Sequence, residues 1–246
     1  MNSLSDSIAL AGNLAKESFA EALWPTRCAL CDIPHTVLCE TCKMNLPYID
    51  WWNACPLCGS PYGRTQCCDC NEFSLSQIER KRLPFLSCAS VVRYQSEAAR
   101  LVRVFKDHGE QRLARELARL MAQVAHPAWT QDSPTVVGIP STTRAIRARG
   151  FDHMELITKE ISGFLGLQSA QPLARPRAID QRKLGRMGRL DNMSNRFKVL
   201  PGATVPQDVL LVDDVYTTGS TLSAASEALL DAGAARVRCL TFARVL

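Results

Sequence analysis

The stretch from Val209 to Thr221 reads VLLVDDVYTTGST, and it constrains the fold of this chain more than any other feature. Four apolar residues in a row, Val209 to Val212, suit a strand covered on both faces, as in a parallel sheet with helices on each side. Two acids follow, Asp213 and Asp214, and then a hydroxyl-rich turn of Thr217, Thr218, Gly219, Ser220 and Thr221 opens a helix that ends near Gly233. In open α/β sheets, ligands bind in the crevice outside the carboxyl ends of the strands. At a helix N-terminus the unpaired backbone N–H groups and the helix dipole favour an anion, and a glycine lets the main chain approach it without a Cβ in the way. The arrangement therefore fits a sugar phosphate, with sugar hydroxyls on the carboxylates and the phosphate in the turn. Taken singly, an acidic pair at a strand end also suits a metal ion, and a Thr-Gly-Ser-Thr turn also serves as a plain helix cap. The order of the parts carries the reading.

From about residue 85 the rest of the chain alternates in the same manner. Strand-like runs occur at Ala89–Tyr94, Val136–Ile139 and Val237–Phe242, and helical periodicity fills the gaps. One helical stretch runs from Ser96 to Val124 with an interruption at Gly109, and another carries Met154, Ile157, Ile161 and Phe164 on one face. The expected class is α/β, a parallel sheet flanked by helices over residues 85–246.

Eleven cysteines occur in the chain, and eight of them form four C-x-x-C pairs: Cys28 with Cys31, Cys39 with Cys42, Cys55 with Cys58, and Cys67 with Cys70. A two-residue gap turns both sulfurs of a pair onto one ion, and two pairs complete a tetrahedral thiolate site. The segments CALCDIPHTVLCETC and CPLCGSPYGRTQCCDC resemble each other, so residues 25–84 read as two small zinc ribbons in tandem, preceding the α/β domain. Sequential pairing puts Cys28, Cys31, Cys39 and Cys42 on one zinc and Cys55, Cys58, Cys67 and Cys70 on the other; interleaved pairing is the alternative. A disulfide framework would need an oxidising compartment, and four clustered pairs exceed what a redox motif needs. Ribbons of this size have little apolar core, so the metal would be structural. Trp51 and Trp52 are expected to pack that module. Cys68 adjoins two ligands and could replace Cys67, whereas Cys88 and Cys239 lie in apolar strands and read as core residues.

Residues 1–24 read as an amphipathic helix, with Leu4, Ile8, Ala11, Leu14, Ala15, Phe19 and Leu23 at spacings of three and four. The sequence shows neither a secretory signal nor an apolar run long enough to span a membrane, which points to the cytoplasm. The net charge of +5 is unevenly spread. Over residues 1–79 nine acids face four cations, Lys16, Arg27, Lys43 and Arg64, and arginines crowd the middle of the chain. Such a belt suits pyrophosphate, a phosphorylated substrate or a nucleic-acid backbone. Its densest part, Arg175 to Lys198, reads as a basic flap that closes over the acidic pair, with Phe197 available to stack on a base.

The stretch Val209–Thr221 resembles the signature of the type I phosphoribosyltransferases. That resemblance implies ribose 2′- and 3′-hydroxyls held by Asp213 and Asp214, the residues on which catalysis would rest. It implies the 5-phosphate wrapped by Thr217, Thr218, Gly219, Ser220 and Thr221, and pyrophosphate displaced from C1 of the sugar with Mg²⁺ assistance. The pyrophosphate would lie in the loop after the second strand, at Ser141, Thr142 and Arg144. Over nearly its whole length the chain is similar to the ComF/GntX-type family, in which a double zinc ribbon precedes a phosphoribosyltransferase domain. The matching pieces are the four C-x-x-C pairs, Phe105-Lys106-Asp107, Arg149-Gly150-Phe151, the stretch with Gln181, Leu184, Arg189, Asn192, Asn195 and Phe197, and the Asp-Asp turn. Where that family usually has Asn-Gln after Arg-Gly-Phe, this chain has Asp152-His153. The likeness implies phosphoribosyl pyrophosphate as ligand, transfer to an acceptor the sequence does not name, and a role in DNA uptake during natural competence. The alternative is a non-catalytic protein that senses phosphoribosyl pyrophosphate while holding single-stranded DNA or docking on a partner such as a competence ATPase.

Overall fold

The computed structural model describes residues 25–77, 80–175 and 197–246. The expected helix over residues 1–24, and most of the basic flap, lie outside them. The chain divides into two compact units, Met1–Leu46 and Pro47–Leu246.

The first unit is built from turns around the first four cysteines. Among the described residues its one regular element is α1 (Glu40–Met44), capped by Cys39, whose Sγ accepts from the Cys42 N–H. Leu38 is its one fully buried large apolar side chain among the described residues.

The second unit contains the other cysteine-rich segment, α2 (Glu72–Gln77) and the whole α/β body. The body comprises β1 (Ser87–Arg93), α3 (Ser96–Lys106), α4 (Leu113–Val124), α5 (Pro127–Thr130), β2 (Thr135–Gly138), α6 (Thr143–Arg149) and α7 (His153–Leu165). It continues through β3 (Ser169–Ala170), β4 (Leu173–Ala174), β5 (Lys198–Val199), β6 (Asp208–Tyr216), α8 (Ser220–Asp231) and β7 (Arg236–Arg244). Five strands form one sheet in the order β1-β7-β6-β2-β3, with every pairing parallel, as the uninterrupted apolar runs require. The core beneath α8 is filled by Val137, Val209, Leu211, Leu222, Ala225, Leu229 and Val237, together with Cys88 and Cys239. The interruption at Gly109 falls between α3 and α4, where it was expected. The loop after β2 contains the short helix α6, capped by Thr142, whose Oγ1 accepts from the Ala145 N–H.

β6 is longer than its apolar run. Its ladder to β2 ends at Val212 opposite Gly138, but its ladder to β7 continues through Asp213 and Val215 to Tyr216 opposite Arg244. The two aspartates therefore sit inside a strand, one edge of which has already lost its neighbour. β4 and β5 form a separate antiparallel pair, Leu173 opposite Val199 and Ala174 opposite Lys198. This stem closes the two ends of the basic segment. Phe197 is buried in the core, with the Arg175 guanidinium over its ring at 5.0 Å, so it is not the exposed base-stacking group expected. Trp51 and Trp52 do not pack the second module either. They stack on each other at 4.3 Å and remain more than half exposed, because that module rests on the edge of the sheet instead of building a core of its own. Ile49 N–H donates to the Val91 carbonyl and Arg93 N–H to that of Pro47, both at 2.9 Å.

Candidate functional site

Where β2 stops, the space beside β6 is filled from the helical layer. Asp214 is nearly buried, and its Oδ2 receives His153 Nε2 at 2.8 Å and an ion pair from Lys106 Nζ. Lys106 is the last residue of α3 and His153 the first of α7. The imidazole is held from behind. Its Nδ1 lies 3.1 Å from Ser141 Oγ and 2.9 Å from Arg149 Nη1, and Ser141 Oγ donates to Asp152 Oδ1 at 2.7 Å. Asp152 also caps α7, accepting from the N–H groups of Met154 and Glu155. The pair Asp152-His153, set apart in the sequence as a departure from the family pattern, thus ties the loop after β2 to the acidic pair on β6.

The two acids differ sharply. Burial, reinforced by the neighbouring Asp214 charge, pushes Asp213 up to about 8. Burial would raise Asp214 as well, but the His153 hydrogen bond and the Lys106 charge outweigh it and hold that carboxyl below the usual carboxylate range. At neutral pH the strand presents one carboxylic acid, able to donate, and one carboxylate, able to accept. Each hydroxyl of a vicinal diol can both donate and accept, so such a pair of groups can receive one.

The turn after β6 requires its glycine. Gly219 is the N-cap of α8 with φ +75, and a Cβ there would stand 2.4 Å from Tyr216 Oη. Only glycine meets both conditions. Thr217 and Thr218 are exposed, Ser220 and Thr221 half-buried at the helix start, and Thr218 Oγ1 lies 2.8 Å from Ser220 Oγ. In the loop after β2, Thr142 and Arg144 are exposed while Ser141 is drawn toward His153. Lys106 and Arg149 were assigned no role from the sequence. The signal for Lys106 was its place directly after Phe105, a fully buried residue that ends the apolar face of α3.

The eight paired cysteines form two groups, Cys28, Cys31, Cys39 and Cys42, and Cys55, Cys58, Cys67 and Cys70, with all four Sγ atoms of each within 4.8 Å of one another. The grouping is sequential. Sulfur separations of 3.6 Å (Cys31 to Cys39), 3.6 Å (Cys55 to Cys70) and 3.5 Å (Cys58 to Cys67) exceed a disulfide bond and come close to the roughly 3.8 Å between ligands of a tetrahedral zinc–thiolate site. Backbone N–H groups of Cys39 and Cys42 point at Cys28 Sγ and Cys39 Sγ, as they do around metal-bound thiolates. Both tetrads could hold a metal ion. Cys68 is exposed and belongs to neither. No helix of the described residues is long and apolar enough to cross a membrane.

Comparison with known proteins agrees with this geometry. A family model described as a phosphoribosyl transferase domain matches residues 168–246, from β3 through the turn to β7. The chain is 30% identical over 233 residues to the DNA utilization protein YhgH of Salmonella typhi, covering 90% of this chain and 98% of that one. It is 28% identical over 224 residues to the protein of the same name from Escherichia coli (strain K12), covering 85% and 97%. To the competence protein ComFC of Bacillus subtilis (strain 168) it is 28% identical over 213 residues, covering 86% and 85%.

Proposed function

The chain belongs to the ComF-type family, and we propose from that membership that it binds phosphoribosyl pyrophosphate at Asp213–Thr221 and transfers the phosphoribosyl group to an acceptor. The observation that carries this reading is the pair of buried aspartates at the edge of β6, followed directly by a glycine-opened helix N-terminus. Asp213, holding its proton, donates to one ribose hydroxyl. Asp214 accepts from the other through Oδ1, since His153 and Lys106 both occupy Oδ2. Thr217, Thr218, Gly219, Ser220 and Thr221 wrap the 5-phosphate with backbone N–H groups and hydroxyls. Thr142 and Arg144, beside Ser141, face the pyrophosphate. Mg²⁺ arrives with the pyrophosphate and supplies charge neutralisation for its departure.

The two cysteine tetrads hold structural zinc, since all four positions of each are thiolates and none is left for a substrate. None of the eleven cysteines is in a disulfide, and cysteines kept as thiolates for metal suit the reducing cytoplasm. The names of the relatives support a role in the uptake or use of DNA. A second, non-catalytic reading, in which the protein senses the ligand while holding single-stranded DNA or docking on an ATPase, is favoured by one observation. The exposed Trp51–Trp52 stack, with the Arg64 guanidinium 5.5 Å from the Trp52 ring, is a surface on which unpaired bases can stack.

Calorimetric titration with Mg²⁺ and phosphoribosyl pyrophosphate tests the reading. Saturable binding by the wild type that Asp213→Asn/Asp214→Asn removes is expected. A folded, zinc-loaded wild type that takes up no ligand would overturn it. Pyrophosphate release with nucleobase, amine or nucleic-acid acceptors separates the transferase from the sensor.

A further inference from the structure

Arg244, at the end of β7, is 2% exposed, an unusual position for an arginine. Its guanidinium lies between the second cysteine tetrad and the strand end that carries the ligand turn. On one side is the second cysteine tetrad: Nη1 donates to the Cys58 carbonyl at 2.7 Å, Nη2 to Asp69 Oδ2 at 2.9 Å, and the same nitrogen lies 3.8 Å from Cys58 Sγ. On the other side is Tyr216, with the guanidinium carbon 3.9 Å from the ring centroid. The far end of that ring is the floor of the ligand turn, since Tyr216 Oη is the atom a Cβ on Gly219 would strike. The tetrad turn is itself seated on the sheet. A Cβ at Gly59, where φ is +73, would stand 2.6 Å from the Cys88 carbonyl oxygen of β1. Cys58, Arg244, Tyr216 and Gly219 therefore form one packed column from tetrad to turn.

We infer that metal held by Cys55, Cys58, Cys67 and Cys70 positions the phosphate turn through Arg244 and Tyr216, so that metal at this tetrad and ligand at the turn strengthen each other's binding. The inference rests on the proposed reading of the turn as a phosphoribosyl site. Four thiolates around a divalent ion leave a net negative charge, and with the Asp69 carboxylate beside it the buried guanidinium balances both in a medium of low dielectric. Without the ion, nothing crosslinks the two cysteine pairs, and the Cys58 carbonyl and Asp69 lose the fixed positions that aim Arg244. A buried guanidinium deprived of its acceptors must move to find others, because leaving it unpaired is costly. Its cation–π contact then no longer fixes the Tyr216 ring under Gly219. Arg244 is a positioning residue on this account, since it touches neither ligand nor reacting atoms.

Coupling between two binding equilibria is reciprocal, so it can be read at the metal instead of at the chemistry. Full-length, zinc-loaded protein is placed in equilibrium competition with a chromophoric chelator, with and without saturating Mg²⁺ and phosphoribosyl pyrophosphate. The component lost in Cys67→Ser reports the second tetrad. Its zinc affinity is expected to rise about fivefold or more when the ligand is present, while that of the Cys28 tetrad stays unchanged. In Arg244→Met the gain is expected to vanish, and in Arg244→Lys, which keeps the charge without the planar fork, to shrink. Ligand binding seen by calorimetry with no change in zinc affinity of the wild type overturns the inference and leaves the proposed site standing. Absence of any ligand heat overturns the proposed site instead, and the inference with it. The wild-type measurement decides even where a substitution prevents folding.

Discussion

Exchanging each aspartate of β6 for asparagine should change stability in opposite directions at high pH, although the two residues are adjacent and both nearly buried. Asp213 is pushed up to about 8 from an ordinary 3.8 by burial and by the Asp214 charge. The folded state therefore keeps a proton that the unfolded chain gives up between those values. The stability associated with it is complete below about pH 4 and is lost as the pH rises through about 8. Asparagine has the shape of the protonated acid and nothing to ionise, so Asp213→Asn escapes that loss. It should match the wild type near pH 4 and exceed it at pH 9 by an amount on the order of a few kcal/mol. Asp214 is the reverse case. Its carboxyl is held below the ordinary range despite burial, by His153 and Lys106, so its contribution is present above the unfolded value and lost only as pH falls through the depressed one. Asp214→Asn leaves both partners facing a neutral amide, and removing one partner of a buried ion pair costs about 3–5 kcal/mol. Lys106 retains some exposure, at 21%, so the lower end of that range applies. Urea unfolding followed by circular dichroism from pH 4 to 9 checks both. At pH 9 the midpoint of Asp214→Asn should fall by roughly 1 M or more while that of Asp213→Asn rises. Equal shifts, or destabilisation by both at pH 9, would refute the assignment of protonated and ionised roles.

Other substitutions separate local causes. Gly219→Ala must adopt a left-handed conformation and displace the Tyr216 hydroxyl, which together cost about 2–4 kcal/mol; its thermal unfolding should show the loss, with ligand affinity falling beyond it. His153→Gln keeps an N–H donor for Asp214 and should cost less than about 1 kcal/mol, whereas His153→Ala should cost about 1–3 kcal/mol by chemical denaturation. Cys68→Ser should retain as much zinc by elemental analysis as the wild type, because Cys68 lies outside both tetrads, while Cys67→Ser should lose the second ion.

The sheet was legible because its strands are apolar without interruption. Val209–Val212 and Val136–Val137 carry no alternation, and only a parallel sheet covered on both faces gives such runs a place. The cysteine pairs were legible from spacing alone, since two residues between cysteines leave little choice of geometry, but which pairs share a tetrad was left open until the fold brought them together sequentially. The extent of β6 was not legible, because Asp213 and Asp214 look like the end of a strand. They remain in the ladder because β7 runs equally far on the other side, which is a property of the pairing and not of either segment. The same holds for the partners of Asp214. Lys106 and His153 lie on separate segments, and nothing local shows that the order β6-β2 brings them to one carboxylate. Trp51 and Trp52 looked like core for a module without one. Their exposure follows from the docking of that module on β1, which removes the need for a core of its own.

The most direct test of the phosphoribosyl site is a crystal structure of the zinc-loaded protein with Mg²⁺ and phosphoribosyl pyrophosphate. The account predicts the 5-phosphate within hydrogen-bond distance of the N–H groups and hydroxyls of Thr217 to Thr221, with the ribose hydroxyls on Asp213 and Asp214. A ligand held elsewhere, with this turn empty and the His153–Asp214 contact unchanged, would contradict it.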